Sequence, residues 1–591
     1  MTGIVRAASL FVLLSLLFAG FHSLPASAAG IDVLDRQRQA PPEPKAQPKL
    51  RVQEEAGRPV YDKGLRFTLA SLHIEGSTVF KEQELLAPYA SLSGTQVSFD
   101  AINKIATELT KKYRDKGYLL SRVVLPAQEL DPARAEVRLV AVEGYIASVE
   151  YVGEEKFVKR FRSYFSDVEQ KLIGKRPLLH KDFEREMLLL QDLPGVKVSS
   201  RFKEGTERGA SILVLTVEPK ILDGSLGWGT TGTDSEGPHM FSASLGVSTL
   251  PLIGAKTTVS WDQAANYQEY YNFQIAQSYQ FSWGLLLKGS YAYSASPKSN
   301  TEFARQFDYR TWADTYTLGA FYPIIRSRDM NLNVGLSFEA RDSTSDVLAS
   351  DQSSDTSTAS SSDVNSAIAS IASSTLSRHK FTNDRLRSVT AKINFDFADE
   401  WGGVTQIIPS FTRGLNIFQA TDKTSDASNP LAPAEYSKFN LYLSRNQHLF
   451  GKFSLFAALS GQLSDSLLSS YNQFQLGGSQ FGRGYQPGII QNDNGVAFAI
   501  EPRFTHQLTD KVTIQPYAFY DWGSVWATRH VAGGIDSETI SSLGGGVRLW
   551  GHVGKTWLPD FNMDFFVAKG LQKIRNKGDA ARFGAQVTFL F

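Results

Sequence analysis

The stretch Phe481-Gly482-Arg483-Gly484-Tyr485 sets an arginine between two glycines and two aromatic residues. A guanidinium carries a planar fork of N–H donors and keeps its charge, so its chemistry is the bidentate binding of a carboxylate or phosphate. An arginine waving in water needs neither the glycines nor the rings. The run around it, from about Ser464 to Asn494, also holds Phe474, Leu476, Ile489 and Ile490. Such a loop is expected to fold back into an interior. Its five glycines between Gly477 and Gly488 permit positive φ and close packing. Arg483 then travels inward with it and must find acceptors, because an unpaired buried guanidinium costs several kcal/mol.

A candidate acceptor lies in "VTIQPYAFYDWGSVW", Val512 to Trp526. Read with the two-residue alternation of a strand, Ile514, Pro516, Ala518, Tyr520 and Trp522 share an apolar face. Thr513, Gln515, Tyr517, Phe519, Asp521 and Gly523 share the other. Asp521 thus points away from the apolar face, and Gly523 leaves room beside it. Arg483 and Asp521 are the expected pair.

Other chemistries find little footing. There are no cysteines, so thiol nucleophiles, disulfides and Cys-based metal sites are excluded. The nine histidines form no HExxH, and neither a G-x-S-x-G elbow nor a phosphate-binding G-x-x-x-x-G-K-[ST] run occurs. "HKDFERE", His180 to Glu186, mixes histidine and acids but reads as the exposed face of a helix. A formal net charge of +1 gives no bulk electrostatic case for nucleic acid. No metal or other cofactor is expected.

The elements that would position Arg483 and Asp521 occupy the chain from Ile221 to Phe591. There helical periodicity gives way to two-residue alternation. In the last segment, "ARFGAQVTFLF", Phe583, Ala585, Val587, Phe589 and Phe591 face one way, while Gly584, Gln586 and Thr588 face the other. About sixteen antiparallel strands, apolar on one side and small or polar on the other, predict a membrane β-barrel. Connection lengths agree, since such barrels have short periplasmic turns and long external loops. With the N-terminal part in the periplasm, the arginine loop falls between strands 11 and 12, on the external side. So does the longest connection, Ser343 to Asp384, between strands 7 and 8. Rich in Ser, Thr, Asp and Ala, it is expected to be a solvated loop.

Residues 1–28 have the form of a signal peptide: Arg6, an apolar core from Ala7 to Gly20, then Ala26-Ser27-Ala28. Residues 29–65 contain "IDVLDRQRQ", enough for two helical turns, and a proline-rich linker. Residues 66–144 pattern as a small α/β module, with Ile102, Ile105, Leu109 and Tyr113 at helical spacing and Gly117 at the helix end. Residues 145–220 pattern as a second unit, with a strand, a helix over "HKDFEREMLLLQDL" and a closing hairpin. Tandem copies of one module are expected.

"GRGY" resembles the VRGF/VRGY loop motif of the outer-membrane superfamily that contains barrel-assembly insertases and two-partner secretion transporters. "FYDWG", Phe519 to Gly523, is similar to its F-x-D-x-G strand motif. "GYLLSRVVLPAQEL" and "VEGYI" look like the first periplasmic POTRA module of the transporters, whose architecture is two POTRA modules and a 16-stranded barrel. The resemblance implies that Gly482, Arg483, Gly484 and Tyr485 form a lumen loop motif, and that Phe519, Asp521 and Gly523 form its barrel-wall counterpart. Phe591 would be the C-terminal assembly signal. It implies a pore for one large unfolded exoprotein, in contact with outer-membrane lipid and, during biogenesis, with the barrel-assembly machinery and periplasmic chaperones. Gly482 stands where the family usually has valine, which suggests a more flexible tip. "IDVLDRQRQ" spans only about 13 Å as a helix, short for the family's plug. An insertase, a substrate-selective porin and an outer-membrane enzyme are the alternatives.

Overall fold

A computed structural model describes residues 66–591, apart from 231, 234–236, 251, 299–307, 351–375, 532–533, 535, 552–559 and 575–579. The signal peptide, the short N-terminal helix and the linker lie outside the described residues.

The first module contains β1 (Arg66–Glu75), α1 (Glu82–Leu86), β2 (Gln96–Ser98), α2 (Phe99–Asp115), β3 (Arg122–Val124) and β4 (Ala135–Val142). Its sheet runs β2-β1-β4-β3, with β1 and β4 parallel. Ile102, Ile105, Leu109 and Tyr113 lie on the buried stripe of α2, as their spacing requires. The Ser98 hydroxyl accepts the Ala101 N–H at 3.2 Å and starts the helix. In "KEQELLAPYA" (residues 81–90) the helix is short: α1 is five residues long and gives way to a 3-10 turn, Ala87–Leu92. Pro88 sits at the start of that turn, where it brings no N–H to continue the α ladder.

The second module contains β5 (Tyr145–Val152), α3 (Glu155–Leu172), α4 (His180–Gln191), β6 (Gly195–Glu204) and β7 (Ala210–Lys220). Sheet order is β5-β7-β6. The helix α3 adds to the elements expected here. Phe157, Phe161, Phe165, Val168 and Leu172 line its buried side at helical spacing, among many charged residues.

Sixteen strands among the described residues close into a barrel, from Leu222–Gly229 to Ala581–Leu590. Each pairs antiparallel with the next, and the last returns to the first through Gln586↔Gly229 to Leu590↔Ser225. Phe591 follows that seam, exchanging backbone bonds with Gly224 (2.9 and 3.1 Å). Outward positions carry exposed apolar residues such as Leu226, Leu245, Leu318, Leu336 and Leu543, the band that lipid requires. Strands 7 and 8 are longer than expected, Met330–Ser350 and Leu376–Ala398. Ser343–Ser350 and Leu376–Asp384, the two ends of the stretch expected to be a solvated loop, are therefore paired strand, while 351–375 lie outside the described residues. A two-stranded ribbon satisfies its backbone groups across the pair and needs no apolar core to do so, which is why a Ser/Thr-rich sequence can continue the ladder. Strand 6 (Arg310–Arg326) flanks it up to Arg310↔Asp346.

The second module is fastened to the periplasmic turns. The Tyr164 hydroxyl of α3 donates to Gln280 O at 2.8 Å, and Arg160 Nη2 donates to Thr249 O at 2.8 Å. On α4, Arg185 Nη2 donates to Pro323 O at 2.9 Å and Nη1 to Ile324 O at 3.1 Å. Asp192, just past α4, receives both Nε and Nη2 of Arg326, each at 2.8 Å. These contacts reach the turns joining strands 2–3, 4–5 and 6–7. The "HKDFERE" face, expected in solvent, is in fact a docking face: Arg185 binds the barrel, Glu184 lies 3.6 Å from Arg328, and Glu186 is buried against Lys171.

Candidate functional site: a loop pinned to the inner wall

The connection between strand 11 (Phe453–Ser464) and strand 12 (Asn494–Phe504) turns inward. It carries a short hairpin, Phe474–Leu476 with Ile490–Asn492. Leu476, Phe481, Tyr485, Ile489 and Ile490 bury against Phe456, Ala458, Ala497, Ala499, Val525 and Ile540, which face inward from strands 11 to 14. The loop lies on the wall. At one foot Tyr471 sits under the Arg341 guanidinium, 4.2 Å away; strand 7 supplies that arginine.

Arg483 is carried to the base of this packing and is 2 % exposed, and Asp521 is fully buried. Arg483 Nε donates to Asp521 Oδ2 at 3.0 Å, and Nη2 donates to Oδ1 at 2.7 Å, the fork-on-carboxylate geometry that arginine favours. The Arg483 and Gly482 backbone N–H groups add donors to Oδ2 at 3.0 and 3.3 Å, and the Ser542 hydroxyl another at 3.3 Å. Beneath, the guanidinium lies 3.4 Å from the centre of the Phe519 ring, a cation–π contact strengthened by loss of water. Tyr485 donates its hydroxyl to Gln572 O and accepts the Gln572 N–H, both at 2.8 Å. The motif residues from the two segments thus meet in one place.

Two glycines make this approach possible. Gly482 has φ +89°, and a Cβ there would lie 2.6 Å from Ile540 Cδ1. The position is packed, and its positive φ turns its N–H onto Asp521, so the tip is held at this glycine and not loosened by it. Gly523 leaves room as expected, and the loop fills it: a Cβ there would lie 2.7 Å from Leu476 Cδ1.

A third group completes the site. Glu501 on strand 12 is 1 % exposed. Its Oε2 accepts Arg483 Nη1 at 2.7 Å, while Oε1 accepts Arg503 Nε at 2.7 Å and also Arg548 Nη1. Arg548 Nε passes on to Asp564 at 3.1 Å. Arg483, Arg503 and Arg548 therefore face Asp521, Glu501 and Asp564, and the charges of the cluster balance. The signal was present in "VAFAIEPRF", where alternation sets Glu501 and Arg503 on the same face as Ala497 and Ala499. Their link to Arg483 depends on strand register, Ala499↔Asp521 and Gln515↔Arg548.

Among the described residues no cluster of His, Asp and Glu is placed to hold a metal ion. What the geometry shows is a loop held to the wall by buried charge and packing.

Fold and site define a POTRA-bearing outer-membrane barrel. Residues 67–144 match the ShlB-type POTRA domain, and residues 343–549 match the haemolysin secretion/activation protein family ShlB/FhaC/HecB. The chain is 22 % identical over 536 residues to the heme/hemopexin transporter protein HuxB of Haemophilus influenzae, covering 88 % of this chain and 87 % of that one. It is 22 % identical to the outer membrane transporter CdiB of Dickeya dadantii, over 81 % and 79 % of the two chains. Among solved structures, CdiB from Escherichia coli superimposes with a TM-score of 0.64 at 19 % identity, covering 92 % of this chain and 93 % of that one. CdiB from Acinetobacter baumannii gives 0.53 at 13 % identity, over 100 % and 98 %. The first module and the middle of the barrel thus match family models of two-partner secretion transporters, and the chain shares the fold of the solved CdiB structures.

Proposed function

We propose that this protein is the outer-membrane pore that takes one large unfolded exoprotein from the periplasm to the cell surface. The observation that carries the reading is the combination of a closed barrel, a periplasmic module fastened to its rim, and an internal loop pinned to one wall by Arg483, Asp521 and Glu501. Residues 1–28 would direct export, 29–65 link, 66–144 and 145–220 form the two POTRA modules, and 221–591 form the barrel. The modules would bind extended cargo by adding it to a sheet edge, where main-chain hydrogen bonds give affinity with little sequence demand. The chain would then thread the lumen and fold outside, with folding supplying direction. The role assigned to Gly482, Arg483, Gly484 and Tyr485 is to hold the loop against the wall formed around Phe519, Asp521 and Gly523, which keeps the passage clear. Phe591, exposed beside the closing seam, is the proposed assembly signal read by the barrel-assembly machinery, after periplasmic chaperones have delivered the chain. No catalytic step is assigned.

The test is export by the Arg483→Ala variant. Its barrel should still assemble and shift on heating, and its export of the cognate exoprotein should fall more than about tenfold, since a broken buried pair costs about 3–5 kcal/mol. Undiminished export would remove the assigned role. Deleting 66–144 should abolish cargo capture and leave a heat-modifiable barrel.

A further inference from the structure

The lumen side of strands 5 to 8 carries a feature that the pinned loop does not use. Lys288 on strand 5 (Leu286–Ser296) and Lys392 on strand 8 both face inward, because their neighbours Leu318 and Leu336 across the ladder face lipid. Both lysines are exposed within the barrel. No hydrogen bond or ion pair joins either to a partner among the described residues. Between them lies Phe321 of strand 6, with the Lys288 ammonium 5.5 Å from its ring centre. That ring rests on the wall: Cβ atoms on Gly335 and Gly319 would lie 2.3 and 2.9 Å from it. Register ties the group together, through Lys288↔Gly319, Phe321↔Gly335 and Gly335↔Lys392. The acids on the same inward rows lie to either side. Asp396 is nearer the periplasmic end and accepts from Asn331 at 2.9 Å; Glu339 is nearer the outer mouth.

Long lysine chains in a lumen are strongly hydrated and mobile, and they stay available to a passing anion unless a carboxylate on the wall takes them. Here the wall leaves them free. The second module also fastens to the turns beneath these strands, at Gln280, Pro323 and Arg326. A chain released from that module therefore meets this wall first.

We infer that Lys288 and Lys392, on either side of the flat Phe321 ring, form a contact point for acidic residues of the exoprotein as it passes. The inference rests on the pore reading above. Each contact is weak and salt-screened, as a sliding chain requires: strong enough to bias entrance and too weak to arrest movement. The aromatic ring adds an apolar ledge for the chain between its acidic residues.

The experiment is current blockade in planar bilayers with the full-length protein, using poly-glutamate, poly-lysine and a Gly-Ser peptide of equal length as probes. Wild type should favour anions in a salt gradient and be blocked by poly-glutamate most strongly. Lys288→Gln with Lys392→Gln should weaken that block about tenfold at low salt, less as salt rises, and shift the reversal potential toward cations. Arginine at both positions should restore both readouts. Heat-modifiability verifies that each barrel has assembled. Equal blockade by all three peptides, or unchanged blockade in the glutamine variant, would overturn the assignment and leave the pore reading standing. A wild-type protein that never conducts would overturn both.

Discussion

The inner wall of this barrel is two different surfaces. Along strands 11 to 14 it is dry and tightly packed: Phe456, Ala499, Glu501, Asp521 and Ser542 are all buried under the returning loop. Along strands 3 to 9 it is wetter and, apart from the Lys288–Phe321–Lys392 group and Arg341, plain, with Ser260, Gln274, Ser290, Thr317, Ser337 and Thr390 at half-exposed inward positions. The contrast separates two tasks. A desolvated arginine fork with two carboxylates and an aromatic floor fixes one geometry and penalises every other. Hydroxyls and amides exchange partners with water at little net cost, so a chain of mixed sequence finds no single deep well along them. One half of the cylinder holds the protein's own segment, and under the proposed function the other would let a foreign one go by.

This division can be broken from the dry side first. Arg483→Ala is expected to have the largest effect, leaving Asp521 and Glu501 buried without their shared partner. Besides the export loss, the heat-modifiability midpoint should fall and conductance should become larger and noisier as the loop leaves the wall. Glu501→Gln comes next. It keeps the shape but leaves Arg483, Arg503 and Arg548 in excess around a neutral amide, so thermal stability should drop by about 3 kcal/mol or less while Arg483 keeps Asp521. An export defect as deep as that of Arg483→Ala would show that Glu501, and not Asp521, is the principal anchor. Asp192→Ala removes a half-exposed fork to Arg326. Its effect should be about 1 kcal/mol or less and should fade with salt, read as looser protease protection of the second module. Thr317→Val, on the wet wall, should change conductance and export least of all. A strong export loss there would mean that the plain wall binds cargo specifically, and the contrast would collapse.

How much of this was legible beforehand differs between the same two regions. Arg483 stood out because glycines and rings around an arginine have no purpose in open water, and Asp521 because strand alternation fixes which way a carboxylate points. Both signals are local. Glu501 and Arg548 join the site only through pairing between strands, and no local pattern contains that register. Strand count and the inside–outside parity of the connections were readable because a barrel repeats one simple alternation. The helix α3 was harder to see: Phe157, Phe161 and Phe165 keep helical spacing, but Lys and Arg crowd the intervening positions. Polarity likewise misled at Arg185 and Glu184, since a charged helix face looks the same in sequence whether water or a row of turn carbonyls receives it. The two ends of the Ser343–Asp384 stretch misled in the opposite direction, because composition reports the lack of a core and is silent about a ladder that needs none.

That ladder has a mechanical meaning. Strand 8 runs unbroken for 23 residues, about 75 Å of extended chain at 3.3 Å per residue, whereas a tilted crossing of the membrane takes about 9–11 residues. More than half of the strand therefore stands clear of the bilayer. Its ladder with strand 7 shifts register once, between Ser345 and Asp346, and stays paired to Ser350↔Leu376. A paired ribbon resists bending far better than a single chain, so the outer mouth carries a stiff mast rooted in the wet half of the cylinder. A polypeptide leaving along that half emerges beside a ready-made β surface and not into empty solvent.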